Sequence, residues 1–284
     1  MNVGSLHISR RSLTIAAVLV VMLSLALGAH AALNMRALDA AKAVATEQTG
    51  RASSKASRVA LVIGNGNYPD AAAPLLQPIN DARALTAALR RDGFDVDVVE
   101  DANKDDMTRA VARLKSRIKP DSVVMLFFGG YGVQVGRESF MIPVDATIWK
   151  ESDVRRDGVS IEAVLGEMKE QGACAKLVVV DASRRNPYER RFRTFSHGLA
   201  PISVPDNALV LSSATPGKVA DDSKGQHSVL VSELLHHLNA QVINAETVFN
   251  RTRIAISRAS DGEQVPSVSS SLLEDVHFGE AAGG

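Results

Sequence analysis

The run 122–128 (SVVMLFF) holds six apolar residues in succession and ends in Gly129-Gly130-Tyr131-Gly132. Continuous apolar runs of this length are typical of strands that are buried on both faces of a sheet. Glycines directly after such a run indicate a tight turn. The stretch therefore predicts a central strand that places Tyr131 at the edge of a parallel sheet.

Comparable segments flank this strand on both sides. Further strands are predicted at 59–63, 94–99, 177–180 and 208–213, with a small hairpin at 133–135 and 139–142 and a last short strand at 276–278. Helical spacing of apolar residues predicts helices at 80–91, 105–118, 159–169, 228–238 and 245–259. Because strands and helices alternate, we expect an α/β fold with a largely parallel sheet covered on both faces.

The first 31 residues differ in composition from the rest. Arg10 and Arg11 precede an apolar run at 13–28, and small residues follow it, which is the pattern of a secretory signal peptide. This run is shorter than the roughly 20 residues needed to span a bilayer. We expect residues 1–31 to direct export to the periplasm or beyond, with an uncleaved inner-membrane anchor as the alternative. Residues 32–57 read as a linker, and residues 58–280 as the folded domain.

Composition argues against several classes of function. The formal net charge is zero and aromatic residues make up 4% of the chain, so nucleic acid is not an expected partner. The turn Gly64-Asn65-Gly66 lacks the third glycine of a phosphate cradle, and Pro69 stands in its place. No metal or cofactor is expected. The single cysteine, Cys174, rules out an internal disulfide and is expected to be inert.

Two predicted strands end in segments that carry polar chemistry, Gly129–Gly132 and Asp181-Ala182-Ser183. In open α/β sheets the ligand site lies beyond the carboxyl ends of the strands. The backbone N–H groups of Gly132 and Ser183 could then face one point, which is the layout of an oxyanion hole.

The chain from residue 58 to 278 resembles the bacterial caspase-like peptidases, a branch of clan CD, family C14, with metacaspase and orthocaspase members. The matching segments occur in the family's order: 62–68 (VIGNGNY), 78–83 (PINDAR), 127–132 (FFGGYG), 143–145 (PVD), 180–187 (VDASRRNP), 198–201 (GLAP) and 264–266 (QVP). The resemblance implies a three-layer αβα sandwich around a mostly parallel six-stranded sheet. It also implies a large-subunit-like part at about 58–195 and a small-subunit-like part at 205–280.

The departures from the family pattern fall on the catalytic positions. Where the family has Ser-Gly-His-Gly and Asp-Ala/Ser-Cys, this chain has Tyr131 for the histidine and Ser183 for the cysteine. A phenol of pKa about 10 is protonated at neutral pH and accepts a proton poorly, and a hydroxyl is a weaker nucleophile than a thiolate. Of the histidines, His197 and His227 lie in loops that could border the site, and a surface role is favoured for both.

The resemblance also implies a pocket for a basic side chain. In metacaspase-type relatives two acids select Arg or Lys, and the matching positions are Asp81 and Asp181. The alternative for Asp81 is a first-turn acid favoured by the helix dipole, and for Asp181 a hydrogen-bonding acid at a strand end. The loop 184–193 carries five arginines. Its counterpart in active relatives is a self-processing segment, and here it is either a solvated loop or an occupant of the acidic pocket.

These observations favour an exported pseudopeptidase that binds an Arg- or Lys-containing peptide or protein, acts as a monomer rather than a dimer, and has a possible membrane tether at its N-terminus. A residual hydrolase with Ser183 as nucleophile and Tyr131 or a loop histidine as base is the first alternative. A structural docking module of the cell envelope is the second.

Overall fold

A six-stranded sheet forms the centre of the domain, with the strand order β10-β8-β7-β3-β1-β2 in this computed structural model. The structure describes residues 56–69, 74–182, 188, 199–220, 225–239 and 243–279. The sheet strands are β1 (Arg58–Gly64), β2 (Asp95–Glu100), β3 (Val123–Gly129), β7 (Ala175–Asp181), β8 (Ala208–Ser212) and β10 (Ser267–Ser270). Five of them are parallel, and β10 pairs antiparallel to β8 at one edge.

Of the six helices in the part of the chain that the structure describes, five cover the two faces of the sheet, and the third in chain order lies beside a smaller sheet. The six helices are α1 (Gln77–Arg91), α2 (Lys104–Arg117), α3 (Glu151–Asp157), α4 (Ile161–Glu170), α5 (Val229–Leu238) and α6 (Ala245–Ala259). One apolar cluster joins the sheet to α1, α5 and α6, and a second joins the opposite face to α2 and α4. Every residue of β3 and β7 is buried. The expected three-layer αβα sandwich is confirmed.

Side-chain caps account for where several helices begin. Asn103 accepts a hydrogen bond from an N–H in the first turn of α2, and Ser160 does the same for α4. Ser228 caps α5 by accepting from the Val231 N–H, and Asn244 caps α6. Each such cap satisfies an N–H that the helix itself cannot pair. These caps fix the N-termini of helices that follow sheet strands.

A smaller three-stranded sheet lies beside the main one. It consists of β4 (Gly132–Val135), β5 (Glu138–Met141) and β6 (Val159–Ser160). The predicted hairpin is β4–β5, whose strands pair antiparallel. Residues 159–160 were expected to begin a helix, but they form β6, and α4 begins after the Ser160 cap.

Residues 276–278 were predicted to form a last short strand, and His277–Phe278 do form one, β11, which pairs with β9 (Ile243–Asn244) in a separate two-stranded sheet. The sixth strand of the main sheet is β10, whose sequence SVSS has one apolar residue. An edge strand with little burial needs no apolar run, so the pattern that revealed the other strands is absent here.

The predicted signal segment and linker at 1–55 lie outside the described residues. Ala56 begins the compact unit that contains the sheet and its helices. Within the residues described, none of the helices combines the length and the apolar character needed to cross a membrane.

Candidate functional site

Three parallel strands end together at one edge of the main sheet. In the register of β1, β3 and β7, Gly64 lies beside Gly129, and Gly129 lies beside Asp181. The hydrogen bonding continues past the strands, because the Asn65 N–H donates to the Gly129 carbonyl and the Gly130 N–H donates to the Asp181 carbonyl. The structure thus places the two segments singled out in the sequence side by side.

The turn after β1 is a structural support and not a phosphate cradle. The N–H groups of Gly66 and Asn67 both donate to the Asp101 carboxylate at 2.8 Å, so they are already engaged. The fully buried Asn65 side chain donates to the Ala102 and Ile142 carbonyls and accepts from the Ala102 N–H. These bonds tie the end of β1 to the end of β5.

Tyr131, at the position of the family histidine, is held by the buried Tyr68. The Tyr68 hydroxyl donates to the Ile142 carbonyl at 2.9 Å and accepts from the Tyr131 N–H at 3.0 Å. The two rings pack edge to face, with centroids 4.8 Å apart. A Cβ atom on Gly130 would lie 2.6 Å from the Tyr68 hydroxyl, which explains why glycine precedes Tyr131. The backbone at position 131 is therefore fixed by a hydrogen bond that does not depend on the identity of its side chain.

The predicted oxyanion donor at Gly132 is engaged elsewhere in this structure. Its N–H donates to the Ala182 carbonyl at 3.1 Å. A Cβ atom on Gly132 would approach the Ala182 carbonyl oxygen to 3.0 Å, so the two segments are in close contact. The expectation that this N–H faces an oxyanion position does not hold in this conformation, and that role would require the hydrogen bond to open. Ser183, the second predicted donor and the nucleophile position, lies outside the described residues.

Asp81 is 1% exposed and belongs to the second turn of α1. Helix α1 begins at Gln77 and not at residue 80, and its first turn contains no acidic residue. The explanation of Asp81 as a first-turn acid favoured by the helix dipole is therefore wrong. Both carboxylate oxygens accept from the Ser228 N–H at 3.2 Å, and Oδ1 lies 2.9 Å from Nδ1 of His227.

Asp181 lies close enough to Asp81 for their charges to interact. Burial, followed by the negative charge of Asp181, raises the pKa of Asp81 to about 6, although hydrogen bonds from His227 and Ser228 oppose the rise. Asp181 itself is 2% exposed, at the last position of β7. Two carboxylates buried together disfavour joint ionisation, so a cation placed between them would be stabilised.

His227 was expected to have a surface role, and the structure corrects this. Its side chain is 32% exposed, yet its Nδ1 contacts the buried Asp81. The two residues are 146 positions apart in the chain, which is why spacing did not reveal the contact. One signal was present: His227 directly precedes Ser228, the cap of helix α5, and helices that follow sheet strands begin at the carboxyl edge of the sheet.

His197 and the arginines of the loop 184–193 lie outside the described residues. One residue of that loop, Tyr188, is buried in the cluster that contains Tyr68, against which Tyr131 packs.

Cys174 is not a second candidate nucleophile at this edge. It precedes β7, at the strand end opposite Asp181, and burial raises the pKa of its thiol. A raised pKa leaves less of the reactive thiolate. Among the residues that the structure describes, no three His, Cys, Asp or Glu side chains converge as a metal ion would require.

Comparison with known proteins agrees with this architecture. The family model of the caspase domain matches residues 57–277. The mouse mucosa-associated lymphoid tissue lymphoma translocation protein 1 homolog is 31% identical over 147 residues, and its human counterpart is 31% identical over 144 residues. Each alignment covers 50% of this chain and 17% of the relative's length. With the family match spanning the whole sheet and the carboxyl edge at which Tyr131 and Asp181 follow or end their strands, the chain belongs to the caspase family of peptidase domains.

Proposed function

We propose that this domain binds peptide or protein segments that carry Arg or Lys, through Asp81 and Asp181, and that it does not cleave them by the Cys–His chemistry of its family. The observation that carries the proposal is the pair of buried, interacting carboxylates, of which Asp181 ends β7 two residues before position 183.

The electrostatics of the pair support a basic ligand. An ionised carboxylate loses its hydration on burial, and a second one nearby adds repulsion. A guanidinium or ammonium group would relieve both effects, and the planar guanidinium can bond a carboxylate with two parallel N–H groups. Arg is therefore the preferred ligand and Lys the weaker one.

The absence of conventional cleavage rests on the residue types at positions 131 and 183. Tyr131 replaces the imidazole that would accept the nucleophile's proton, and a phenol is protonated at neutral pH. Ser183 replaces the thiol, and a serine hydroxyl depends on a well-placed base. The Gly132 N–H is engaged by the Ala182 carbonyl. Two catalytic side chains are therefore replaced, and one candidate oxyanion donor is engaged in this structure.

A residual hydrolase is the second candidate, and one contact favours it. The carboxylate of Asp81 holds the imidazole of His227 at 2.9 Å. An imidazole oriented by a carboxylate is the arrangement of a general base in serine hydrolases. Ser183 would then be the nucleophile, with His227 or Tyr131 receiving its proton.

Calorimetric titration with peptides that differ in one residue tests the first proposal. A peptide with a central Arg is expected to bind, and the same peptide with citrulline, its neutral isostere, is expected to bind at least tenfold more weakly. Asp81→Asn and Asp181→Asn should each remove the difference. Asp121→Asn, which removes an exposed acid at the opposite edge of the sheet, should leave it unchanged. Equal binding of both peptides, or a difference that survives both substitutions at the site, overturns the proposal.

The two candidates are separated by a turnover assay on Arg and Lys ester substrates. The binding proposal expects no turnover above that of the Ser183→Ala variant. Turnover that disappears in Ser183→Ala and in His227→Ala would establish the hydrolase instead.

We also propose that the domain acts outside the cytoplasm as a monomer. The composition of residues 1–31 supports export. Cell fractionation with N-terminal sequencing of the purified protein would show whether the segment is removed or retained. Recovery of the intact chain from the cytoplasm would contradict export, and sedimentation as a dimer would contradict the monomer.

A further inference from the structure

The segment 225–228 lies along helix α1 and carries His227 to the acidic site. The Asn80 side chain donates to the Gln226 carbonyl at 3.2 Å, and the Gln77 side chain donates to the Gly225 carbonyl at 3.5 Å. The next two residues, His227 and Ser228, turn to Asp81. The backbone on either side of His227 is therefore anchored, while its imidazole projects to the carboxylate.

The contacts of Asp81 differ in how easily they can be exchanged. Ser228 donates through its backbone N–H and at the same time caps α5, so this contact is built into the fold. His227 contacts Asp81 through a side chain that is 32% exposed, whereas Asp81 itself is 1% exposed. A ligand from solvent can reach the Asp81 carboxylate only if a neighbouring group moves aside. The partly exposed imidazole of His227 is the neighbour that can rotate away.

We infer that His227 is the gate of the acidic site: its imidazole occupies the donor position at Asp81 that an arginine guanidinium would take, and an entering side chain must displace it. The inference rests on the proposed function, because it concerns the same two carboxylates. It assigns to His227 the role of a competitor and not of a base.

The acidic site favours one class of ligand over others. A guanidinium brings several N–H donors in one plane and a positive charge, so it replaces the lost imidazole contact and also neutralises the carboxylate pair. A neutral amide replaces only the contact. An ammonium supplies the charge without the two parallel donors. Because every ligand must displace the same imidazole, the gate weakens all of them by a similar factor, and the preference for Arg comes from the carboxylate pair itself.

The test uses the full chain and two small probes, N-acetyl-arginine amide and its neutral isostere N-acetyl-citrulline amide. Their affinities are measured by calorimetry on the wild type, His227→Ala and His227→Asn. The His227→Ala variant removes the imidazole, and the arginine probe should bind it at least tenfold more tightly than the wild type. The His227→Asn variant keeps an N–H donor near the position of Nδ1, so it should bind about as the wild type does. Melting temperatures of all variants confirm that they are folded.

The outcomes separate the gate from the function on which it rests. If the arginine probe binds the wild type and His227→Ala equally, and Asp81→Asn abolishes binding, the acidic site stands and the gate is overturned. If neither protein distinguishes the arginine probe from the citrulline probe, both ideas fail. Tighter binding to His227→Ala that is lost in His227→Ala combined with Asp81→Asn supports both. His277→Ala, which removes a histidine that faces Asp275, should change none of these affinities.

Discussion

The Gly132 N–H donates to the Ala182 carbonyl at 3.1 Å, which joins the segment of the family histidine to the segment of the family cysteine. The two chain positions that would perform catalysis are thus linked through the backbone of their neighbours. This link holds the two segments together whatever side chains stand at positions 131 and 183. It also occupies a donor that an oxyanion would need.

Restoring the dyad should restore weak cleavage. We expect Tyr131→His combined with Ser183→Cys to cut peptides after Arg or Lys, slowly, because the thiolate and the imidazole return while the Gly132 N–H must still leave Ala182. Mass spectrometry of a peptide library would detect the products. Tyr131→His with Ser183→Ala, which lacks the nucleophile, is the matched control.

In that restored protein, Asp81→Asn should abolish the preference for Arg and Lys. A folded double variant that leaves the whole library intact would show that the pocket no longer presents substrate to the dyad.

Asp81 should make the stability of the domain depend on pH. Its pKa is raised from 3.8 to about 6, by burial first and by Asp181 second, while His227 and Ser228 oppose the rise. Its stabilising contribution is therefore complete below about pH 4 and is lost as the pH rises through about 6. At 1.36 kcal/mol for each pKa unit, the loss amounts to about 3 kcal/mol.

The variant Asp81→Asn cannot ionise, so its free energy of unfolding relative to the wild type should rise by up to about 3 kcal/mol between about pH 4 and about pH 7.5. Urea denaturation of both proteins at several pH values measures this difference directly. A difference that is constant over the whole range would show that the carboxyl does not titrate in this window.

Gly130 should tolerate no side chain. In Gly130→Ala the new Cβ would lie 2.6 Å from the Tyr68 hydroxyl and 2.9 Å from the Phe128 ring, so we expect a loss of about 1–3 kcal/mol in the free energy of unfolding. Gly166→Ala is the matched control, because a Cβ there, within helix α4, meets no atom within 4 Å. That change should raise stability slightly, since alanine favours helices over glycine. Equal effects of the two substitutions would contradict the close packing around Tyr68.

The Tyr68 hydroxyl should contribute to stability through the groups that it pairs. Tyr68→Phe keeps the ring but removes the acceptor of the Tyr131 N–H and one of the two hydrogen bonds to the Ile142 carbonyl, which keeps its bond from Asn65. The loss of a buried partner of this kind costs about 1–3 kcal/mol. Thermal and chemical denaturation would measure the loss. Amide hydrogen exchange gives a local measurement, in which exchange at Tyr131 should accelerate more than exchange in the middle of β3. Unchanged protection of that amide would show that the hydroxyl does not hold it.

The parallel core could be predicted from sequence because its strands are buried on both faces. The runs around Val62, Leu126 and Val178 contain mainly apolar residues, and the glycine or aspartate that follows each run marked the common edge. The strand β10 and the helix α3 were missed for the opposite reason. Val268 and Val154 are their only strongly apolar residues, so neither segment carries a periodic pattern.

At the site, the resemblance to the family singled out Asp81 and Asp181, but it did not predict the surroundings of either. Helix α1 was predicted to begin at residue 80, three residues too late. Gln77, where the helix begins in the structure, carries no capping pattern, and a proline follows it at position 78. With the predicted start at residue 80, Asp81 would fall in the first turn of the helix, where the helix dipole favours an acid. The contact with His227 joins distant parts of the chain, and only the packing of α5 beside α1 brings them together.

Tyr68 and Asn65 both reach the Ile142 carbonyl, and through it they hold the frame around position 131. The residues that stabilise this edge through hydrogen bonds are therefore different from the residues at the family's catalytic positions. Because the bonds of this frame reach position 131 through its backbone N–H, they persist when the side chain there is exchanged. A substitution at position 131 is therefore evolutionarily reversible, since the residues that define the backbone geometry are not the residue that changes.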